Sequence, residues 1–135
     1  MNAPQRHRFD ALLERVLDEL PPNLHRVLDE IPVIVLDRPS DAMLTEIGVP
    51  RDEWPDERES LCGLHTGLML TERSIEHSAE LPTDIHLFRV GIVNAAGGWT
   101  AGQQRILDEI RITLLHEIGH HFGLDEDDLD RLGYA

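Results

Sequence analysis

Residues 103–122 read QQRILDEIRITLLHEIGHHF, and this is the longest stretch of helical periodicity in the chain. Its apolar residues recur every three or four positions, so they cover much of the circumference of the predicted helix. They are Ile106, Leu107, Ile110, Leu114, Leu115, Ile118 and Phe122. A helix with so wide an apolar surface must be covered, and we expect it to lie against a sheet.

The same helix contains His116-Glu117-Ile118-Gly119-His120, which is the pattern H-E-x-x-H. Residues four apart on a helix lie one turn above each other, with Cβ atoms roughly 5–6 Å apart. Both imidazoles can therefore direct a nitrogen at one tetrahedral Zn²⁺. Glu117 then projects beside the metal, where its carboxylate can take a proton from zinc-activated water.

The alternative is that the two histidines are unrelated surface or core residues. The composition of the chain gives a random expectation of roughly 0.04 such patterns. The pattern also falls inside a strongly predicted helix, which is the structural context that its chemistry requires. We therefore prefer the zinc site.

A catalytic zinc usually needs a third protein ligand beside an open position for water. Gly123 comes three residues after His120 and is suited to end the helix and turn the chain back. The residue ten positions after His116 is Glu126. A carboxylate at this position would complete the site.

The acidic run after the helix also has a purely structural explanation. If Asp125 caps a last short helix, Glu126, Asp127 and Asp128 occupy its first turn, where the helix dipole favours anions. The same register leaves the Glu126 side chain uncommitted at the first helical position, with Asp130 one turn below it. We predict Glu126 as the third ligand, with Asp130, Asp127 and Asp125 as alternatives in that order.

The remaining histidines and the cysteine are given no catalytic role. His121 groups with the apolar residues of the helix, so we expect it to be buried or to support the site rather than to bind metal. His65 and His86 stand in apolar contexts without metal-ligand spacing. Cys62 is the only cysteine, which excludes an internal disulfide, and we expect a small core residue there rather than a nucleophile.

The first part of the chain predicts two helices and a strand. Apolar residues from Phe9 to Leu20 follow helical spacing, and Pro21 then stops that helix. Asn23 is expected to cap a short second helix. IPVIVLD, residues 31–37, is rich enough in β-branched residues to predict a buried strand.

Five further segments are assigned from their turn residues and apolar content. They are a short helix capped by Ser40 or Asp41, a polar surface loop at VPRDEWPDERES (49–60), strands at LCGLHTGLML (61–70) and DIHLFRVGIV (84–93), and a glycine-rich loop at NAAGGWTAGQ (94–103).

Length and charge limit the classes of function. A chain of 135 residues is expected to form one domain, spanning 1–135. Its formal net charge of −14 at pH 7 repels phosphate backbones, so we expect no nucleic-acid partner. The charged N-terminus lacks the pattern of a signal peptide, and no apolar run approaches membrane-spanning length. We therefore expect a cytoplasmic protein without a membrane partner.

With these motifs the sequence resembles the small bacterial zincin-like metallopeptidases. The resemblance rests mainly on LLHEIGHHFGLDEDDLDRLGY (114–134) and also on LPTDIHLFRVGIV (81–93), GLHTGLMLTER (63–73) and LDELPPNL (17–24). It implies an α+β fold of the minimal zincin type, in which a small mixed sheet packs on helices and the H-E-x-x-H helix lies near the C-terminus. It also implies an edge strand, expected at Ile85 to Val90, that holds an extended peptide by backbone pairing.

The chain departs from two larger groups of zinc peptidases. No methionine follows the motif, so the methionine turn of metzincins is absent, and no glutamate beyond Glu126 can supply a gluzincin ligand. We predict a zinc-dependent metallopeptidase acting on peptides or unfolded proteins, with Glu117 as general base and His116, His120 and Glu126 as zinc ligands. The alternative is a catalytically inactive zincin scaffold, in which the metal stabilises a binding or regulatory module.

Overall fold

The computed structural model describes residues 1–66 and 84–122, together with the single positions 127 and 131. Within them, helices surround a small mixed sheet, which confirms the predicted α+β class. In chain order the elements are α1 (Ala3–Glu19), α2 (Pro22–Glu30), β1 (Val33–Leu36), α3 (Asp41–Glu46), α4 (Trp54–Ser60), β2 (Gly63–Thr66), β3 (Asp84–Phe88), α5 (Arg89–Ala96) and α6 (Gln103–His121), with 3₁₀ turns at Arg51–Glu53 and Trp99–Ala101.

The three described strands lie in the order β1, β3, β2. β1 runs parallel to β3, with Val33 opposite Ile85, whereas β2 runs antiparallel to β3, with Gly63 opposite Leu87. The expectation that Ile85 to Val90 forms the edge strand is wrong, because β3 pairs on both sides and the chain turns helical at Arg89. Among the described strands, β2 and β1 are at the edges.

The core lies between β3 and the two longest helices. The apolar residues predicted for α1 and α6 are largely buried, because each helix turns its apolar face inward. Phe122 is an exception and is exposed at the end of α6. In the described part of the chain, none of the helices combines the length and apolarity needed to cross a membrane. The core cluster includes Phe9, Leu12, Leu13, Val16, Ile85, Leu87, Ile106, Leu107, Ile110, Leu114 and Ile118.

The helix starts follow capping rules, with one correction to the sequence prediction. Asn2 caps α1, since its side chain accepts a hydrogen bond of 2.9 Å from the backbone N–H of Gln5. Ser40 caps α3 as predicted, accepting from the Met43 N–H at 3.2 Å. Asn23 does not cap α2, because the helix already begins at Pro22. Proline is suited to this first position, because a backbone N–H there would have no hydrogen-bond acceptor within the helix.

The predicted surface loop at 49–60 is instead a 3₁₀ turn followed by α4. Pro55 lies in the first turn of α4, where proline is tolerated. Asp56 and Glu57 lie in the same turn, and their negative charges interact favourably with the positive end of the helix dipole. The guanidinium groups of Arg51 and Arg58 lie over the Trp54 ring at 5.1 and 5.5 Å from its centroid. A prediction from proline content and polarity alone was therefore wrong.

The predicted strand at 84–93 ends at Phe88, and the chain continues as α5. The prediction of a strand over residues 89–93 is wrong, because short apolar runs do not distinguish a buried strand from a buried helix. α5 also includes the first three residues of the predicted glycine-rich loop and ends at Gly97, whose φ of +103° is left-handed. Gly91 lies against the backbone of Leu61 and Cys62, so α5 packs directly on the segment that leads into β2.

Replacing Gly91 by alanine is expected to destabilise the protein by about 3 kcal/mol or more, because the new Cβ would collide with the Leu61 carbonyl group. The collision involves backbone on both sides, so a side-chain rotation cannot relieve it. Urea unfolding of the Gly91→Ala variant measures the change. Ala95→Ser, at an exposed position of the same helix, is the control and should lie within about 0.5 kcal/mol of wild type. Equal stability of both variants would contradict this packing.

Two arginines and two aspartates join α1, the end of β1 and the start of α5. Arg6 donates to Asp37 at 2.8 and 2.9 Å, and Arg89 donates to both Asp37 and Asp10 at 3.0–3.1 Å. The hydrogen bonds from Arg6 are the main cause that lowers the pKa of Asp37 below its ordinary value. This network joins the end of β1 to α1 and to the start of α5.

His86 on β3 is buried, and its Nδ1 has no hydrogen-bond partner among the residues that the structure describes. Burial lowers the pKa of His86 below its ordinary value of 6.5, with Asp84 opposing the shift. The folded protein therefore favours the neutral ring. As the pH falls through about 6.5, the unfolded chain takes up the proton first, so His86 makes the protein less stable in acid.

The His86→Leu variant is expected to lose part of the decrease in stability between pH 7.5 and pH 5.0, because the buried titrating ring is gone. Denaturant unfolding of zinc-free protein at both pH values measures the decrease. His25→Leu is the matched control, since His25 is exposed on α2. If the decrease is the same in wild type and His86→Leu, the ring does not contribute to it.

Candidate active site

The two motif histidines of α6 converge as predicted. Their Nε2 atoms are 2.9 Å apart, and the ring centroids are 4.6 Å apart with the ring planes nearly perpendicular. This follows from the spacing of four residues, which places both side chains on one face of the helix. Both rings therefore present a nitrogen to the same point in space.

This pair fits a zinc ion. Bonds of about 2.0–2.1 Å to one tetrahedral zinc would hold two histidine nitrogens roughly 3.3 Å apart. The observed 2.9 Å between the Nε2 atoms of His116 and His120 needs only a small opening to reach that separation. Neutral imidazole nitrogen is also a preferred zinc donor.

Glu117 lies beside this pair, between α6 and β2. The residue is buried, with 8% of its surface exposed. Gly63 of β2 makes room for it, because a Cβ at Gly63 would lie 3.1 Å from Glu117 Cγ and 3.0 Å from Thr113 Cγ2. A glycine is thus the residue that allows β2 to lie this close to the carboxylate-bearing turn of the helix.

A cavity of about 260 Å³ opens between β2 and α6. On the strand side it is lined by residues 61–63, which lead into and begin β2. The helix residues that line it follow the spacing of one helical face, so the cavity extends along α6 from the motif toward the N-terminal end of that helix. These helix residues are Glu109, Ile112, Thr113, His116 and Glu117.

Cys62, the cysteine that lines this cavity, is a neutral thiol at neutral pH. Burial, together with the charges of Glu109 and Glu117, raises the pKa of Cys62 to about 11. The thiolate is the reactive form of cysteine, and almost none of it is present at this pKa. Cys62 packs partly buried against the core, which agrees with the structural role expected from the sequence.

A second pair of histidines joins β2 to the end of α6. His121 Nδ1 lies 3.4 Å from His65 Nε2, and the two rings meet edge to face. His121 is buried, as predicted from its place on the helix. The contact with His65 was missed, because the two residues are 56 positions apart and no local spacing connects them.

The ladder between β2 and β3 sets the direction of the backbone groups in β2. The Phe88 N–H donates to the Cys62 carbonyl at 2.8 Å, so these residues form a hydrogen-bonded pair. Such pairs alternate with non-hydrogen-bonded pairs in an antiparallel ladder. The N–H and C=O of Gly63, which is paired with Leu87, therefore point away from β3.

Of the four residues predicted as candidates for a third zinc ligand, the structure describes one. Glu126, the predicted ligand, and the alternatives Asp130 and Asp125 lie outside the described residues. Asp127 is described as an exposed helical residue. Within residues 1–66 and 84–122 and at positions 127 and 131, no group of three histidine, cysteine or acidic side chains is placed to hold a metal.

An H-E-x-x-H helix packed on a small mixed sheet, with antiparallel β2 last in the order of the described strands, is typical of the zincin class. A family model described as zincin-like metallopeptidase matches residues 28–134, so the chain belongs to that family. The resemblance drawn from the sequence is thereby confirmed, and the family implies zinc binding. A comparison with curated proteins found no match to the chain.

Proposed function

We propose that the protein is a zinc-dependent peptidase that hydrolyses peptide bonds with Glu117 as general base. The observation that carries the proposal is the convergence of His116 and His120, whose Nε2 atoms are 2.9 Å apart, next to a cavity that Glu117 also lines. Membership of the zincin-like metallopeptidase family supports it.

His116, His120 and the predicted Glu126 would hold the zinc ion. Zinc, when bound, lowers the pKa of water to about 7 and polarises the carbonyl group of a substrate. Glu117 accepts the proton of the attacking water and later donates it to the leaving amine. Gly63 lies against the Glu117 side chain, since a Cβ at Gly63 would come within 3.1 Å of Glu117 Cγ, and Glu117 lines the cavity.

The proposed substrate is an extended peptide or an unfolded segment of a protein. Gly63 directs its N–H and C=O away from β3, where a peptide can add to the sheet by backbone hydrogen bonds. Such pairing requires a segment of substrate with an extended and accessible backbone. This assigns to β2 the peptide-holding role that the sequence had suggested for Ile85 to Val90.

The test is cleavage of a peptide library by purified protein that has been stripped with a chelator and reloaded with zinc. Mass spectrometry should find cleaved peptides with the zinc-loaded protein and none after chelation. His120→Ala should lose this cleavage, whereas His25→Ala, at an exposed position of α2, should keep it. If the zinc-loaded, folded wild type cleaves no peptide, the protein is an inactive zincin scaffold.

A further inference from the structure

We infer that the cavity beside Glu117 is a specificity pocket for a basic side chain of the substrate, with Glu109 as the anionic partner of that side chain. The inference rests on the proposed function, since it concerns a peptide held at the same site. Glu109 has no role in metal binding or proton transfer in that proposal, so its place in the cavity calls for a separate explanation.

The partners of Glu109 and its neighbour differ. Asp108 accepts hydrogen bonds from Gln104 at 2.9 Å and from Arg111 at 3.2 Å. Glu109 is partly exposed at the cavity and makes no hydrogen bond or ion pair with any residue that the structure describes. A carboxylate that lines a cavity without a cation beside it can bind a cation from a ligand.

Glu109 and Glu117 are the acidic residues among the described residues that line the cavity. The charges of Glu109 and Glu117 both act on Cys62, on the opposite wall, where they add to the effect of burial and raise the pKa of the thiol. No arginine or lysine is among the described residues that line the cavity. A substrate side chain with a positive charge is therefore attracted, and one with a negative charge is repelled.

The size and shape of the cavity suit a long basic side chain. Its volume of about 260 Å³ is below the range of roughly 300–1,000 Å³ typical of whole small-molecule ligands, so it suits one side chain. Glu109 precedes Glu117 by eight residues, or about 12 Å along the helix axis. Leu61 and Ile112 line the cavity together with these two carboxylates. The methylene stem of arginine or lysine can pack on such apolar groups while its charged head reaches Glu109.

The experiment compares peptides of one sequence that carry arginine, norleucine or glutamate at the positions flanking the cleaved bond. Wild type should cleave the best arginine peptide with a kcat/KM at least about tenfold above that of the norleucine peptide, and glutamate should be worst. Glu109→Gln should bring the arginine to norleucine ratio close to one. Asp108→Asn removes the same charge from the adjacent position, which does not line the cavity, and should keep the preference.

Binding provides a readout that does not depend on cleavage. Fluorescence anisotropy of labelled arginine peptide with Glu117→Gln protein should give tighter binding than with the Glu109→Gln, Glu117→Gln double variant. If wild type cleaves peptides without a basic preference, or if Glu109→Gln keeps that preference, the pocket assignment is wrong while the peptidase stands. If no peptide is cleaved but binding still depends on Glu109, the peptidase is wrong and the pocket stands. If neither cleavage nor Glu109-dependent binding is found, both are wrong.

Discussion

The Glu117→Gln variant is expected to lose peptide hydrolysis by about 10²–10⁴-fold while it keeps its fold and its zinc. Removal of a general base has an effect of this size, because glutamine has the shape of glutamate but cannot accept a proton. The shape matters here, since Glu117 is buried and lies close to β2. The loss should be in kcat, with zinc content and the midpoint of thermal unfolding close to those of wild type.

Glu14→Gln is the matched control for this variant. It makes the same chemical change at an exposed position of α1 and should leave kcat within about twofold of wild type. Glu117→Asp adds a second comparison, because it keeps the carboxylate but withdraws it by one methylene group. The kcat of Glu117→Asp should lie between those of Glu117→Gln and wild type. If Glu117→Gln retains more than a tenth of the wild-type rate with full zinc content, Glu117 is not the general base.

The paired histidines were predicted from the sequence because helix geometry alone fixes them. A spacing of four residues inside a periodic segment is enough to place His116 and His120 on one face, and the structure brings their Nε2 atoms to 2.9 Å. The same argument predicted the burial of His121. Local periodicity therefore accounts for α6 and for the part of the site that α6 carries.

The strand side of the site could not be predicted in this way. Cys62, Gly63 and His65 come to α6 through tertiary packing, and no spacing in the sequence connects them with the motif. The edge strand was assigned to the wrong segment because pairing partners are not visible in the sequence. The sequence analysis did not assign Glu109 to the site. Helical spacing alone could have pointed to it, because Glu109 lies on the same face of α6 as Thr113, His116 and Glu117.

Errors in secondary structure have a similar cause. The segment of α4 was predicted as a loop from its proline content and its polarity, although proline and acidic residues both suit the start of a helix. The segment of α5 was predicted as a strand because its apolar run is short and continuous, and residues 90–93 are all buried in the helix. Gly91 of α5 contacts the backbone of Leu61, and the sequence does not reveal this contact between two separate segments of the chain.

Zinc is expected to raise the free energy of unfolding by about 4 kcal/mol when its free concentration is a thousand times its dissociation constant. The increase follows because the unfolded chain does not hold His116 and His120 at one point, as α6 does. Denaturant unfolding in metal-buffered solutions measures it. His120→Ala should abolish the increase, whereas His25→Ala should keep it, because His25 is exposed on α2.

Denaturant unfolding in the same metal-buffered solutions also identifies the third zinc ligand. Glu126→Ala should reduce the zinc-dependent increase strongly, because a site that loses one of three protein ligands binds the metal more weakly. Asp130→Ala should leave the increase unchanged if Glu126 is the ligand, and the reverse result would move the third ligand to Asp130. If His120→Ala shows the same zinc-dependent increase in the free energy of unfolding as wild type, zinc stabilises the protein from another site. In that case the pair His116 and His120 does not contribute to zinc binding.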